Sequence, residues 1–111
     1  MLTAVPRKKV EGRIRLLEAN KDLLQIAQVV AQTCNLPYLY NIQVIYQDGI
    51  PHLLKLNPRA SGGLYLSCLS GIAFPYLAIK LLLTGEADVP VPHLDTWATH
   101  FEKELLVQRL M

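Results

Sequence analysis

The stretch NIQVIYQDGIPHLLKLN, residues 41–57, constrains the fold of this chain more than any other part of it. Two runs rich in β-branched, aromatic and leucine residues flank Asp48-Gly49, a dipeptide typical of tight turns between antiparallel strands. The pattern therefore predicts a β-hairpin.

The apolar residues of this hairpin predict its register. They share one face when two pairs lie opposite each other, Val44 with Leu54 and Ile42 with Leu56. This register requires an odd number of residues in the connection, so the predicted loop is Asp48-Gly49-Ile50. The other face then carries two polar pairs, which are Gln43 with Lys55 and Asn41 with Asn57.

Helical patterns lie on both sides of the hairpin. After Asn20, a residue suited to an N-cap, apolar residues recur at three- and four-residue steps up to Cys34. A further helix is predicted from Leu64 to a break at Gly71. A second, buried helix is predicted from Pro75 to just before Gly85.

We predict a single α+β domain over residues 1–111, an antiparallel sheet with the helices packed on one face. Residues 2–10 are predicted to be extended. Residues 86–111 are predicted to form an extended connection and a tail, in which the pattern of residues 94–111 suits a helix or a strand.

Composition excludes several classes of protein. A length of 111 residues with 51% hydrophobic residues suits one domain, and a net charge of +2 is too small for a nucleic-acid-binding surface. The start lacks a signal peptide, and Cys34 and Cys68 lie among apolar residues, which predicts reduced core thiols in a cytoplasmic protein. Residues 64–83 approach the length of a membrane span, but Gly71 and Pro75 divide them, so no membrane span is predicted.

The run NIQVIYQDGIPHLLKLNPRASGG, followed by GIAFPYLAIKLLLTGE, closely resembles the C-terminal half of an ATP-grasp domain like that of the carbamoyl phosphate synthase large subunit. The resemblance extends from about Val5 to Glu86. It implies an enzyme that uses ATP to phosphorylate a small-molecule carboxylate and then lets an amine attack the acyl phosphate. It also implies ATP and Mg²⁺ as cofactors.

The resemblance assigns roles by position. Gln43 and Asn57 are similar to magnesium ligands, and Arg59 is similar to the catalytic residue that steadies the transferred phosphoryl group. Four further residues are similar to groups that contact phosphate or the anionic substrate, namely Arg7, Ser61, Gly62 and Gly63. Amide oxygens suit Mg²⁺, and a guanidinium suits phosphate oxygens.

Two features depart from the family pattern. Lys55 stands where the family has a glutamate that bridges metal ions, and an ammonium there can bind phosphate directly as a point charge. The family's first half, which holds the ATP-binding lysines, a glycine-rich loop and the adenine-binding hinge, is expected upstream of Met1. The expected partner is accordingly that N-terminal lobe or a second copy of the chain.

Two main functions stay open, beside a third possibility, a small membrane-associated protein, that rests only on the apolar segment after Gly63. The leading hypothesis is the C-terminal lobe of an ATP-grasp carboxylate–amine ligase, as a fragment or a separately encoded portion that is inactive alone. The alternative, which Lys55 favours, is a non-catalytic module for interaction or oligomerisation. In that case Gln43 and Asn57 are a solvated or cross-strand hydrogen-bonding pair, Arg59 forms a surface salt bridge, and residues 61–63 only begin a helix. Neither hypothesis involves nucleic acid or a membrane.

Overall fold

The computed structural model describes residues 3–108. It contains five strands and three helices: β1 (Arg7–Glu11), β2 (Ile14–Leu17), α1 (Lys21–Cys34), β3 (Asn41–Gln47), β4 (Ile50–Asn57), α2 (Leu64–Cys68), α3 (Phe74–Thr84) and β5 (Thr96–Ala98). The predicted α+β class and antiparallel pairing are confirmed. The strands are divided between two sheets, one with the order β1-β2-β5 and one formed by β3 and β4.

The first helix begins and ends where the sequence predicts. The Asn20 side chain accepts a hydrogen bond from the Leu23 backbone N–H at 3.1 Å, which caps the helix. Asn35 ends it in a left-handed conformation with a φ of 46°. Cys34 is exposed, so its predicted place in the core is wrong, because the last residue of α1 lies beyond the buried positions Ala27 and Val30.

The β3–β4 hairpin has the predicted pairs at its open end and a different register near its turn. Asn41 lies opposite Asn57 and Gln43 opposite Lys55, as predicted. Val44 pairs with Leu53, so the predicted pairing of Val44 with Leu54 is wrong. Leu54 is the extra residue of a β-bulge, and its side chain is 65% exposed.

The bulge also explains the length of the turn. The connection has only the two residues Asp48 and Gly49, with φ angles of 51° and 75°, instead of the predicted three. Two consecutive residues with positive φ are typical of the type I′ turn, whose twist matches that of the flanking strands. The one extra residue, Leu54, is therefore accommodated as a bulge inside β4 and not in the loop.

The second and third helices are short, and α3 is much less buried than predicted. Pro75 lies in its first turn, and Gly85 ends it with a φ of 75°. Of its eleven residues only Leu77 is buried, while four large apolar side chains are exposed: Tyr76, Ile79, Leu82 and Leu83. The predicted burial is wrong because the apolar residues surround α3, whereas it packs through one side only.

The three-stranded sheet holds the main core. Leu17 in β2 is 1% exposed and clusters with Leu66 from α2 and Ala98 from β5. In β5, Trp97 lies opposite Leu16 of β2, so part of the predicted tail joins this sheet as a strand. Residues 99–108 have no regular secondary structure. The predictions for Leu2 and for residues 109–111 lie outside the described residues.

No helix within residues 3–108 is long and apolar enough to cross a membrane. The apolar stretch of residues 64–83 is divided between α2 and α3, with Gly71 at a φ of 99° between them. The predicted break at this glycine is confirmed.

The left-handed glycine of the hairpin turn gives a prediction. Gly49→Ala is expected to lower the free energy of unfolding by about 1 kcal/mol, since a side chain disfavours a positive φ. Gly62→Ala is the matched control, because Gly62 has no positive φ and open space around it. Urea denaturation measures both variants, and equal losses of stability would contradict the assigned turn.

Candidate functional site

The Arg7 guanidinium joins the first residue of β1 to the turn that precedes α2. Its Nη1 donates a hydrogen bond to the Gly63 carbonyl oxygen at 2.7 Å, and its Nη2 donates to Ser61 Oγ at 2.9 Å. These partners lie 56 and 54 residues away in the sequence. The structure thus brings together three of the residues that the sequence predicts to bind phosphate.

A glycine is required at position 63 because the Arg7 guanidinium lies so close to it. The backbone conformation of Gly63 does not itself require a glycine. Its φ of −94° and ψ of 23° lie outside the left-handed region that favours glycine. A Cβ atom at this position would overlap Nη1 of Arg7 and lie 3.1 Å from Cζ. At Gly62, by contrast, an added Cβ would meet no atom within 4 Å among the described residues.

Positive charge is concentrated around Arg7. Burial, and secondly the cationic Arg15, lower the pKa of Arg7 from its ordinary value. Lys9 lies directly opposite Arg15 in the sheet, and Arg7 and Lys9 are two residues apart on one strand, so the three cations share a face. Because like charges in opposing positions repel each other, an anion on this face would be stabilising.

Lys9 and Arg15 are not among the site residues that the sequence predicts. The sequence does show a cluster of basic residues at positions 7–9, 13 and 15. The cluster is too small to indicate a nucleic-acid-binding surface, so by itself it did not point to a site. Their shared face follows from the pairing of β1 with β2. That pairing depends on the turn at Gly12, which has a φ of 53°.

A second group of predicted residues lies on the polar face of the β3–β4 hairpin. Lys55 is opposite Gln43, and both side chains are exposed, whereas Asn57 is only 7% exposed. Lys55 is the single Lys, Arg, Asp or Glu in the two strands. This face therefore presents the Gln43 amide and a positive charge to solvent, with the Asn57 amide buried beside them.

Arg59 is placed by a tight turn after β4. Its backbone N–H donates to the Asn57 carbonyl oxygen at 2.8 Å, and its Nη1 donates to the Ala60 carbonyl oxygen at 2.9 Å. The side chain is exposed. It can therefore reach a ligand without losing a buried contact.

The two groups border different surfaces. A groove of about 1300 Å³ lies between α1, β3 and α3, and its lining includes Arg7, Lys9 and Ser61. Its apolar lining includes Ile42 and Val44, which alternate with Gln43 along β3. Of the described residues, Gln43, Lys55, Asn57 and Arg59 are not part of this lining. The structure thus brings Arg7, Ser61 and Gly63 together, and it does not bring them onto the face of Gln43.

The polar face does not by itself fit a magnesium ion. Mg²⁺ prefers an octahedral shell of oxygen ligands, often with one or two carboxylates. The face offers only the neutral amides of Asn41, Gln43 and Asn57, next to the ammonium of Lys55. Within residues 3–108, no group of three or more His, Cys, Asp or Glu side chains is placed to hold a metal ion. The magnesium roles of Gln43 and Asn57 stay predictions.

The comparison with known families decides the identity at the family level. Residues 1–104 match the family model described as "ATP-grasp in the biosynthetic pathway with Ter operon". The chain belongs to this ATP-grasp family. No solved structure matches it. The ATP-grasp resemblance in the sequence is confirmed, and ATP-grasp enzymes generally use ATP with Mg²⁺.

Membership of the ATP-grasp family makes Lys55 a test position. Lys55→Glu is expected to raise the Mg²⁺ affinity of the hairpin face at least about tenfold, because it replaces a repelling ammonium by a carboxylate ligand between two amides. Calorimetric titration with magnesium chloride measures the affinity. Lys55→Met is the control, since it removes the repulsion without adding a ligand. Unchanged or weaker affinity in Lys55→Glu would count against Gln43 and Asn57 as metal ligands.

Proposed function

We propose that this ATP-grasp chain is the phosphate-binding lobe of a carboxylate–amine ligase of the carbamoyl phosphate synthase-like type. The observation that carries the proposal is the pair of hydrogen bonds that hold Arg7 on Ser61 and Gly63, beside the cations Lys9 and Arg15. Arg59 on its exposed turn and Lys55 on the hairpin supply two further positive charges. This distribution suits a substrate that carries several phosphate charges.

The proposed reaction has two steps. A carboxylate oxygen of the substrate attacks the γ-phosphorus of ATP, and ADP leaves with the electrons of the broken P–O bond. The nitrogen of an amine then attacks the acyl carbon, inorganic phosphate leaves, and the nitrogen loses a proton. Both steps develop negative charge on oxygen atoms of the transferred phosphoryl group, which positioned cations stabilise.

In the proposal each residue has its own role in binding phosphate. Arg59 contacts the transferred phosphoryl group, and Lys55 contacts phosphate in place of a metal-bridging carboxylate. Arg7, with Ser61 and its neighbouring glycines Gly62 and Gly63, holds a phosphate group of the nucleotide. No step is assigned to a metal ion, because the hairpin face lacks a fitting ligand set. The adenine contacts come from an N-terminal ATP-grasp lobe, and the assembly works in the cytoplasm.

ATP titration tests the proposal. Calorimetry of the chain with ATP is expected to show binding that Arg59→Met weakens about tenfold, the value of one charge-assisted hydrogen bond. Lys103→Met is the matched control, because it removes an exposed cation in the tail. Absence of binding by the wild-type chain, or equal losses in both variants, would contradict the role of Arg59. A parallel titration with a chelator separates metal-dependent from metal-independent binding.

One observation favours a second function, that of an oligomerisation module. The four exposed apolar side chains of α3 form a surface that Lys80 alone interrupts with a charge. Tyr65 in α2 and Leu69 directly after it are exposed apolar side chains as well. An exposed apolar surface of this kind marks a protein–protein contact. The contact partner in this alternative is a second copy of the chain.

Light scattering coupled to size exclusion separates the two functions. If the module is correct, the wild-type chain elutes as a dimer, and Leu83→Lys converts it to a monomer by placing a charge at a residue that is 77% exposed. Val91→Lys is the control, because Val91 is exposed but lies outside α3. A wild-type chain that is monomeric at all concentrations would contradict the module.

A further inference from the structure

We propose that Ser61 and Gly63 are positioning residues, which act on a bound phosphate through Arg7 and not through the backbone amides of their own turn. The inference rests on the proposed function and assigns a specific role to this turn. The family resemblance implies that the glycine-rich turn itself faces the anion. The contacts of Arg7 show a different use for the same residues.

The turn is poorly suited to bind an anion by itself. The helix that follows it, α2, has only five residues, so its dipole is weak. The Leu64 N–H is already used, since it donates to the Ser61 carbonyl oxygen at 3.2 Å. Ser61 Oγ and the Gly63 carbonyl oxygen both accept hydrogen bonds from Arg7. These two acceptors of the turn are thus directed at a guanidinium.

The Arg7 guanidinium, in contrast to the turn, is well suited to bind an anion. It is planar and carries five N–H donors in a fixed fork, so two held donors also fix the direction of the other three. The bonds to Ser61 and Gly63 engage one donor on each terminal nitrogen. A ligand with two or more negative charges would contact the remaining donors of Arg7 and relieve the repulsion between Lys9 and Arg15. Inorganic pyrophosphate is the simplest probe of this class.

The contact between Arg7 and the turn depends on the absence of a side chain at position 63. An added Cβ overlaps Nη1 of Arg7, which is the mobile end of a long side chain. The backbone angles of Gly63 lie outside the left-handed region and are allowed for a residue with a side chain. Gly63→Ala therefore displaces the guanidinium while leaving the turn able to form. The Gly63→Ala variant thus moves the positive charge of Arg7 without removing it.

Pyrophosphate affinity, measured by calorimetry in the presence of a chelator, tests the inference. Gly63→Ala is expected to weaken binding at least about tenfold, and Ser61→Ala roughly two- to tenfold, the range for loss of one orienting hydrogen bond. Arg7→Lys keeps the charge but replaces the fork by a single ammonium, and it is expected to lose affinity as well. Wild-type affinity in Arg7→Lys and Ser61→Ala would overturn the inference.

The background variant Arg7→Met shows through which group the turn acts. In that background Ser61→Ala and Gly63→Ala are expected to change the remaining affinity within about twofold, because their effect passes through a side chain that is no longer present. Further losses of the full size in the Arg7→Met background would mean that the turn contacts the anion directly, which would overturn the inference. A role in stability alone would leave the affinities unchanged.

A second double-mutant cycle, which combines Gly63→Ala with Arg7→Met, measures stability and needs no ligand. Urea denaturation is expected to show that Gly63→Ala lowers the folding equilibrium constant more in the wild-type chain than in Arg7→Met, while any effect on the start of α2 is the same in both. Equal losses would overturn the claimed contact. If this coupling is present but the wild-type chain does not bind pyrophosphate, the proposed function fails and the contact stands as part of the fold.

Discussion

The half-buried guanidinium of Arg7 sets the main constraint on this structure. A cation that is partly removed from water needs acceptors for its donors, and Ser61 and Gly63 supply them from a turn far away in the sequence. The same strand position connects to the core, because Arg7 lies opposite Leu17, which packs on Leu66 of α2. The charged contact joins β1 to residues 61–63, and the core joins the neighbouring β2 to the helix that follows, so the fold fixes the position of the charge.

The hairpin provides the other surface of functional interest. Its bulge at Leu54 keeps Gln43 opposite Lys55 while allowing the two-residue turn at Asp48-Gly49. With an ammonium and amides on this face, electrostatics favours a phosphate over a divalent cation. The positive charges of Arg7 and Lys55 lie on separate surfaces, since Arg7 lines the groove and Lys55 does not. In the proposed function a nucleotide is therefore recognised mainly through its phosphate charges.

Local signals in the sequence predicted most of the secondary structure. The cap at Asn20, the turn at Asp48-Gly49 and the end of α3 at Gly85 each depend on a few neighbouring residues, and all three are confirmed. The bulge at Leu54 was missed because a bulge and a longer loop accommodate an odd residue equally well in the sequence pattern. The reason for Gly63 was missed because it lies in a contact with Arg7, and a single sequence does not show which distant side chain fills the space beside a glycine.

The central claim, that Arg7 held on the Ser61–Gly63 turn receives a phosphate group, is tested most directly by nuclear magnetic resonance. A two-dimensional spectrum of the isotope-labelled chain reports the Arg7 side-chain Nε–H and the backbone amides of residues 61–63 during a pyrophosphate titration. We expect these signals to shift together and to saturate, with the Arg7 side-chain signal moving most. Shifts confined to Gln43, Lys55 and Asn57, or no saturable shift in a folded chain, would contradict the account.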